Sequence, residues 1–194
     1  MRLAVFTGSA SGTDALYARE AASFAAELAA RGVGIVYGGG QVGLMGTVAD
    51  SAVAAGGEVV GVIPSSLDRT EVGHTGLSTL HVVDSMHERK QLMADLADGF
   101  VALPGGVGTL EEIFEAWTWL QLGIHEKPVA FLNINGFWDP LLAAIDSLVS
   151  AGFLKRAYRD AVIVAGSAAE LLDAIDGWTP PARKWQDPGE RSRI

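Results

Sequence analysis

The chain has 194 residues, 49% of them apolar and 19% charged, with 24 glycines and 7 prolines. That length suits one domain, and that composition builds a core and excludes a disordered or collagen-like chain. Fourteen Lys and Arg against 23 Asp and Glu give a net charge of −9. A field of that sign repels nucleic acid and anionic membranes, so any phosphate must be bound in a local pocket.

Short apolar runs alternate with longer helical patterns from the first residues onward. Strand 2–7 (RLAVFT) precedes helix 13–31, strand 33–37 (VGIVY) precedes helix 43–56, and strand 58–63 (EVVGVI) is followed by helix 85–98. Strand 99–103 (GFVAL) leads to helix 109–123, strand 128–132 (PVAFL) to helix 137–151, and strand 161–165 (AVIVA) to helix 167–176. Parallel strands need crossover helices, and strands apolar along their whole length are covered on both faces. The pattern therefore predicts an α/β fold: a doubly wound parallel sheet in three layers, α/β/α. Residues 1–178 are expected to form a single nucleotide-binding α/β domain, and the polar, proline-punctuated residues 179–194 a loose tail.

The longest charge-free stretch, between Arg31 and Asp50, holds seven glycines and Gln41 among its 18 residues, which marks a turn region rather than a membrane span. Only four apolar residues separate Arg2 from Thr7, too few for a signal peptide. The absence of cysteine excludes disulfides and thiolate chemistry and suits a reducing compartment, so a cytoplasmic location is expected.

Ligands of such sheets bind beyond the carboxyl ends of the strands. Three loops there are rich in glycine: GSASG (8–12), GGGQVGLMG (38–46) and PGGVGT (104–109). Gly38, Gly40 and Gly43 match GxGxxG, the dinucleotide fingerprint. Against a dinucleotide, this loop follows the second strand, and Glu58, about 20 residues on, begins the next strand at the edge away from the ligand. A tight turn presenting bare amides to a smaller phosphate or sugar is preferred, with a purely structural turn as the other reading. PGGVGT opens a helix, whose first amides and dipole form an anion seat that needs no cationic side chain. GxxxxGK[ST] is absent, so this is not a Walker loop.

Thr109-x-x-Glu112 reads as a capping box, and Glu112 equally as a carboxylate at the rim of the anion seat. Ser85-x-x-Glu88 is a second such box, which puts Arg89 in the first turn of its helix, in line with Met86, Met93 and Leu96 on the apolar face. A guanidinium buried there needs a partner, either a structural carboxylate or, across the same sheet edge, Glu112 or a ligand phosphate. Lys90 points elsewhere, toward solvent. His74, His81, His87 and His125 form no compact ligand set, and no GxSxG elbow occurs, so neither a metal site nor a serine hydrolase is expected. Trp117 continues the core stripe of Leu110, Ile113, Phe114 and Leu120, whereas Ala116, Trp119 and Leu122 form a second stripe. A helix apolar on two sides suggests a partner subunit, with a fully interior helix as the alternative.

SMHERKQLM (85–93) followed by LPGGVGTLEE (103–112) resembles the LOG family of cytokinin riboside 5′-monophosphate phosphoribohydrolases, long labelled lysine decarboxylases. The resemblance runs from VFTGSASG (5–12) through YGGGQVGLMG (37–46) and GVIPSSL (61–67) to residues 117–142, and covers about 2–175. Thr7 stands where members often carry Cys. The resemblance implies a Rossmann-like fold, a homodimer and hydrolysis of the N-glycosidic bond of an adenosine 5′-monophosphate, with no cofactor. By the same resemblance Arg89 and Glu112 are the catalytic pair. Gly106, Val107, Gly108, Thr109, Leu110, Glu111 and Glu112 form the phosphate and ribose seat, and Gly8, Ser9, Gly39 and Gly40 belong to the binding loops. Glu71, Lys90 and Thr118 are implied as further substrate contacts. No lysine is placed as a Schiff-base anchor beside a pyridoxal phosphate site, so the decarboxylase label has no chemical support. The alternatives are a non-catalytic carrier of a phosphorylated, pterin-type cofactor in the same cleft and, behind it, a dinucleotide-dependent oxidoreductase.

Overall fold

A computed structural model describes residues 1–67 and 73–184. The strands are β1 (Arg2–Phe6), β2 (Gly34–Tyr37), β3 (Val59–Pro64), β4 (Thr79–Val83), β5 (Gly99–Ala102), β6 (Val129–Leu132) and β7 (Val162–Ala165). The helices are α1 (Ala15–Ala30), α2 (Gly43–Ala54), α3 (Met86–Leu96), α4 (Val107–Leu122), α5 (Asp139–Ser150), α6 (Arg156–Asp160) and α7 (Ala168–Asp176). All pair in parallel, in the order β4-β3-β2-β1-β5-β6-β7. This is the expected doubly wound sheet, with one strand more than the apolar runs suggested.

The extra strand, β4, lies at the sheet edge, and its Val82 is 55% exposed. With Thr79 and His81 among five residues, only its pairing to β3 marks it as a strand. Five-residue α6 is likewise too short to give a helical period. Alternate residues of the inner strands divide the core. Leu3, Val5, Ile35 and Tyr37 pack beneath α1, α2 and α7, and Ala4, Phe6, Val36 and Phe100 beneath α3, α4 and α5. Full burial of a side chain such as Leu28 or Ile113 is worth about 1.5–3 kcal/mol.

Three helix starts are fixed by side chains. Asp14 accepts from the Leu16 amide, Ser85 from Glu88 and Ser167 from Glu170. Glu88 reaches back to the Asp84 amide at 3.0 Å, which completes the expected box at α3 one residue further out. Glu58 pairs with Arg2 at 2.7 Å, at the amino ends of β1 and β3 and so away from the ligand edge, as expected. The described part of the tail is not loose: Arg183 pairs with Glu126, and the Lys184 amide bonds the Gln121 carbonyl at the end of α4.

The topology reverses at β1, which pairs with β2 on one side and β5 on the other. Chains leaving the carboxyl ends of β1 and β5 part there and open a crevice.

His125 closes the far end of α4. Its Nδ1 accepts the Lys127 amide at 3.2 Å, so the neutral ring carries its proton on Nε2, which donates to the Ala116 carbonyl at 2.9 Å. Burial, opposed by the Ala116 bond and assisted by Lys127, pushes the imidazole pKa below its ordinary 6.5. A depressed histidine pKa means the unfolded chain binds the proton first, so stability falls as pH drops below about 6.5 and levels off beneath the folded value. Thermal melts from pH 7 to 5 are therefore expected to show a shallower decline for His125→Gln, which keeps a donor for Ala116 and cannot titrate, than for wild type.

Candidate active site

The three glycine-rich loops meet at the carboxyl edge of the sheet through main-chain bonds. Gly8 N–H donates to Pro104 at 3.1 Å, and Leu44 N–H donates to the Gly8 carbonyl at 3.0 Å. Thr7 adds a hydroxyl bond to the Pro104 carbonyl at 3.1 Å. A side chain on Gly43, held at φ +57°, would run into the Ser9 backbone, so the loop after β1 and the start of α2 touch only because that residue is glycine.

Arg89 is 5% exposed. The sequence demanded a partner for its charge, and the structure supplies carbonyls rather than a carboxylate: Nε donates to Val62 at 3.1 Å and Nη2 to Gly38 at 2.9 Å. A Cβ at Gly38 would overlap Nη2, so the absence of a side chain there makes room for the guanidinium. Among the described residues no acidic side chain forms a salt bridge with it. Its charge is thus solvated from behind and not cancelled.

Facing it is the start of α4. The expected capping box at Thr109 does not form, because the helix begins two residues earlier, with Gly106 as N-cap and no side-chain cap. Thr109 is the third helical residue; it is buried, with its hydroxyl packed against Gly105. The first-turn amides of Val107, Gly108 and Thr109 have no intrahelical acceptor and keep the helix's positive end open. Glu112 stands one turn on from Gly108 and Thr109, on the same face.

These elements enclose a recess of about 210 Å³ lined by Thr7, Gly8, Ser9, Met45, Arg89, Gly106, Val107, Gly108, Thr109 and Glu112. A second, more apolar recess of about 270 Å³ shares Gly8, Ser9 and Gly106 with it and is walled by Tyr17, Leu44, Pro104 and Phe137. No local pattern singles out Tyr17 or Phe137. Their rings contact edge to face at 5.4 Å, a pairing of two distant segments.

Other residues singled out from the sequence lie elsewhere. Lys90 does point away from the recess, but it is not solvated: its side chain is 10% exposed and bridges Glu111 and Glu115 of α4. Burial lowers its pKa, but the hydrogen bonds and charges of Glu111 and Glu115 together outweigh it and leave the ammonium pKa above its ordinary value. Leu110 packs against the core. Gly39 and Gly40 are buried beneath residues 73–74, with Gly39 accepting from the His74 amide and Gly40 bridging Gly73. Thr118 is exposed, with its hydroxyl bonded back to Phe114 at 2.7 Å. Glu71 lies outside the described residues. Trp117 is in the core, its Nε1 donating to Tyr158; Ala116, expected on the outer stripe, is also buried, and Trp119 is only partly covered.

A family model described as "Possible lysine decarboxylase" matches residues 45–175. The cytokinin riboside 5′-monophosphate phosphoribohydrolase LOG of Oryza sativa subsp. japonica is 48% identical over 179 residues, 92% of this chain and 74% of that protein. LOG1 of Arabidopsis thaliana, named for the same activity, is 42% identical over 183 residues, 94% of this chain and 86% of that protein. Among solved structures, the molybdenum cofactor carrier protein of Chlamydomonas reinhardtii superposes with a TM-score of 0.68 at 23% identity, covering 90% of this chain and 95% of that one, a likeness of fold alone. With the paired motifs meeting in one recess and relatives of this identity along most of its length, the chain belongs to the LOG family.

Proposed function

We propose that this protein hydrolyses the N-glycosidic bond of adenosine 5′-monophosphates, N6-substituted ones included, to the free adenine-type base and ribose 5-phosphate. The supporting observation is that one recess combines a fixed, uncancelled guanidinium, a carboxylate and a set of open first-turn amides. The names and identity of the relatives point to the same reaction.

In this reading the phosphate sits on the amides of Val107, Gly108 and Thr109 beside Gly8 and Ser9, which aligns the sugar across the recess. The C1′–N9 bond breaks with its electron pair going to the purine, and positive charge develops on the sugar. Glu112 stabilises that charge and orients a water that adds to C1′, while the proton lost from the water is balanced by protonation of the leaving base. Arg89, held from behind by Gly38 and Val62, presents its remaining N–H groups to the substrate and Glu112. Glu71, Lys90, Thr118, Leu110, Glu111, Gly39 and Gly40 are proposed contributors on the family resemblance alone.

The outer side of α4, with partly covered Trp119, Leu122 44% exposed and Ile124 just beyond at 61%, supports a homodimer through this face. No helix of the described residues is long and apolar enough to cross a membrane. Together with the lack of cysteine this is consistent with work in the cytoplasm. Residues 1–178 are taken as the one catalytic domain.

Incubation with AMP and detection of adenine and ribose 5-phosphate tests the reaction; a carrier would return AMP unchanged. Adenosine is expected to be a poor substrate by kcat/KM, since without phosphate the amide seat contributes nothing, and equal values for the two would contradict the assignment. Glutamine keeps the length of the Glu112 side chain but neither its charge nor its basicity, so in Glu112→Gln kcat should fall by roughly 10²–10⁴-fold, measured beside a thermal melt. Gly38→Ala should push the buried Arg89 guanidinium off the Gly38 carbonyl, lowering the melting temperature and also lowering turnover by about 10²-fold, the scale of a misplacement of about 1 Å.

A further inference from the structure

His74 is 6% exposed and belongs to neither recess. Its ring Nδ1 accepts the Gly76 amide at 3.1 Å, so the neutral ring carries its proton on Nε2, which meets Asp50 Oδ1 of α2 at 2.7 Å. The ring thus ties the turn at 74–76 to α2. The main chain of the same residue does something different: His74 N–H donates to the Gly39 carbonyl at 3.2 Å, and Gly73 bridges Gly40 beside it.

Gly39 is at φ +77°, and its neighbours Ile63 and Leu80 leave little room for a side chain. Successive carbonyls of this turn therefore serve two residues. Gly38 holds Arg89 Nη2, and Gly39 holds His74. From these contacts we infer that His74 is a positioning residue for Arg89: clamped between Asp50 and Gly76, it fixes the glycine turn whose Gly38 carbonyl sets the guanidinium. It touches neither substrate nor Glu112, and acts only through the turn. This role rests on the reading of Arg89 as part of the hydrolytic site.

The test replaces the ring piecewise. His74→Ala removes both arms. His74→Asn keeps an acceptor for the Gly76 amide, since an asparagine side chain bonds its own backbone two residues on. Asp50→Ala removes only the arm to α2, at a residue whose side chain is 62% exposed. Kinetics on AMP are measured with thermal melts and with exchange of the Arg89 Nη2–H, the donor to Gly38, in ¹⁵N-arginine-labelled protein, its signal assigned by its loss in Arg89→Lys.

In His74→Ala the Arg89 Nη2–H is expected to exchange about tenfold faster, and kcat to fall about tenfold with KM little changed, the worth of roughly one hydrogen bond. Asp50→Ala should move both in the same direction by less, and His74→Asn should recover most of each. Wild-type exchange and kcat in His74→Ala, whatever its melting temperature, would overturn the inference. So would a His74→Asn that regains the wild-type melting temperature but neither exchange rate nor kcat. Should His74→Ala fail to fold, Asp50→Ala decides by the same two readouts. If wild-type protein leaves AMP intact, the proposed reaction fails, while Nη2–H exchange still reports whether His74 holds Arg89 through Gly38.

Discussion

A positive charge set inside the protein is the constraint on which the rest of this structure turns. Leaving a guanidinium unpaired in an apolar interior costs several kcal/mol or more, and the usual remedy is a carboxylate. Here two main-chain carbonyls, Val62 at the end of β3 and Gly38 just after β2, solvate Arg89 instead. Carbonyl dipoles stabilise a cation without neutralising it. That arrangement needs β2 and β3 adjacent and parallel, a residue without a side chain at 38, and an α3 whose first turn is fixed by Ser85 and Glu88. Sheet order, glycine placement and helix capping all converge on one side chain.

The opposite wall follows another economy. At the start of α4 no side chain closes the helix, and its first-turn amides are left without an intrahelical acceptor. Arg89 and the α4 terminus come from segments on either side of the sheet's reversal point. The parallel order, rather than any local motif, brings them face to face.

Much of this could be read from the sequence because it depends on short-range chemistry. The alternation of strand and helix gave the doubly wound sheet, Ser85-x-x-Glu88 placed Arg89 in a first turn, and the interval to Met93 put it on the buried face. What escaped depended on partners far along the chain. Strand β4 exists through its pairing with β3, and Lys90 is enclosed by Glu111 and Glu115 of a different helix. Thr109-x-x-Glu112 misled because Gly106 starts the helix earlier, and a glycine N-cap leaves no side-chain signature. No local pattern marks His74 either, since its meaning lies in Asp50, Gly76 and Gly39 together.

In the proposed reaction, a seat of main-chain amides in a protein of net charge −9 would also set how a phosphate arrives. Enzymes that ring their clefts with lysine draw anions in from a distance, and added salt slows that capture. This surface repels its ligand until the last few ångströms, where the recess takes over. Mobile ions screen the outer repulsion over about 10 Å at 0.1 M and barely reach the enclosed contacts. On that reading ionic strength would quicken the encounter instead of hindering it, and long polyanions that cannot shed the outer field would be turned away while a single small phosphate ester is admitted.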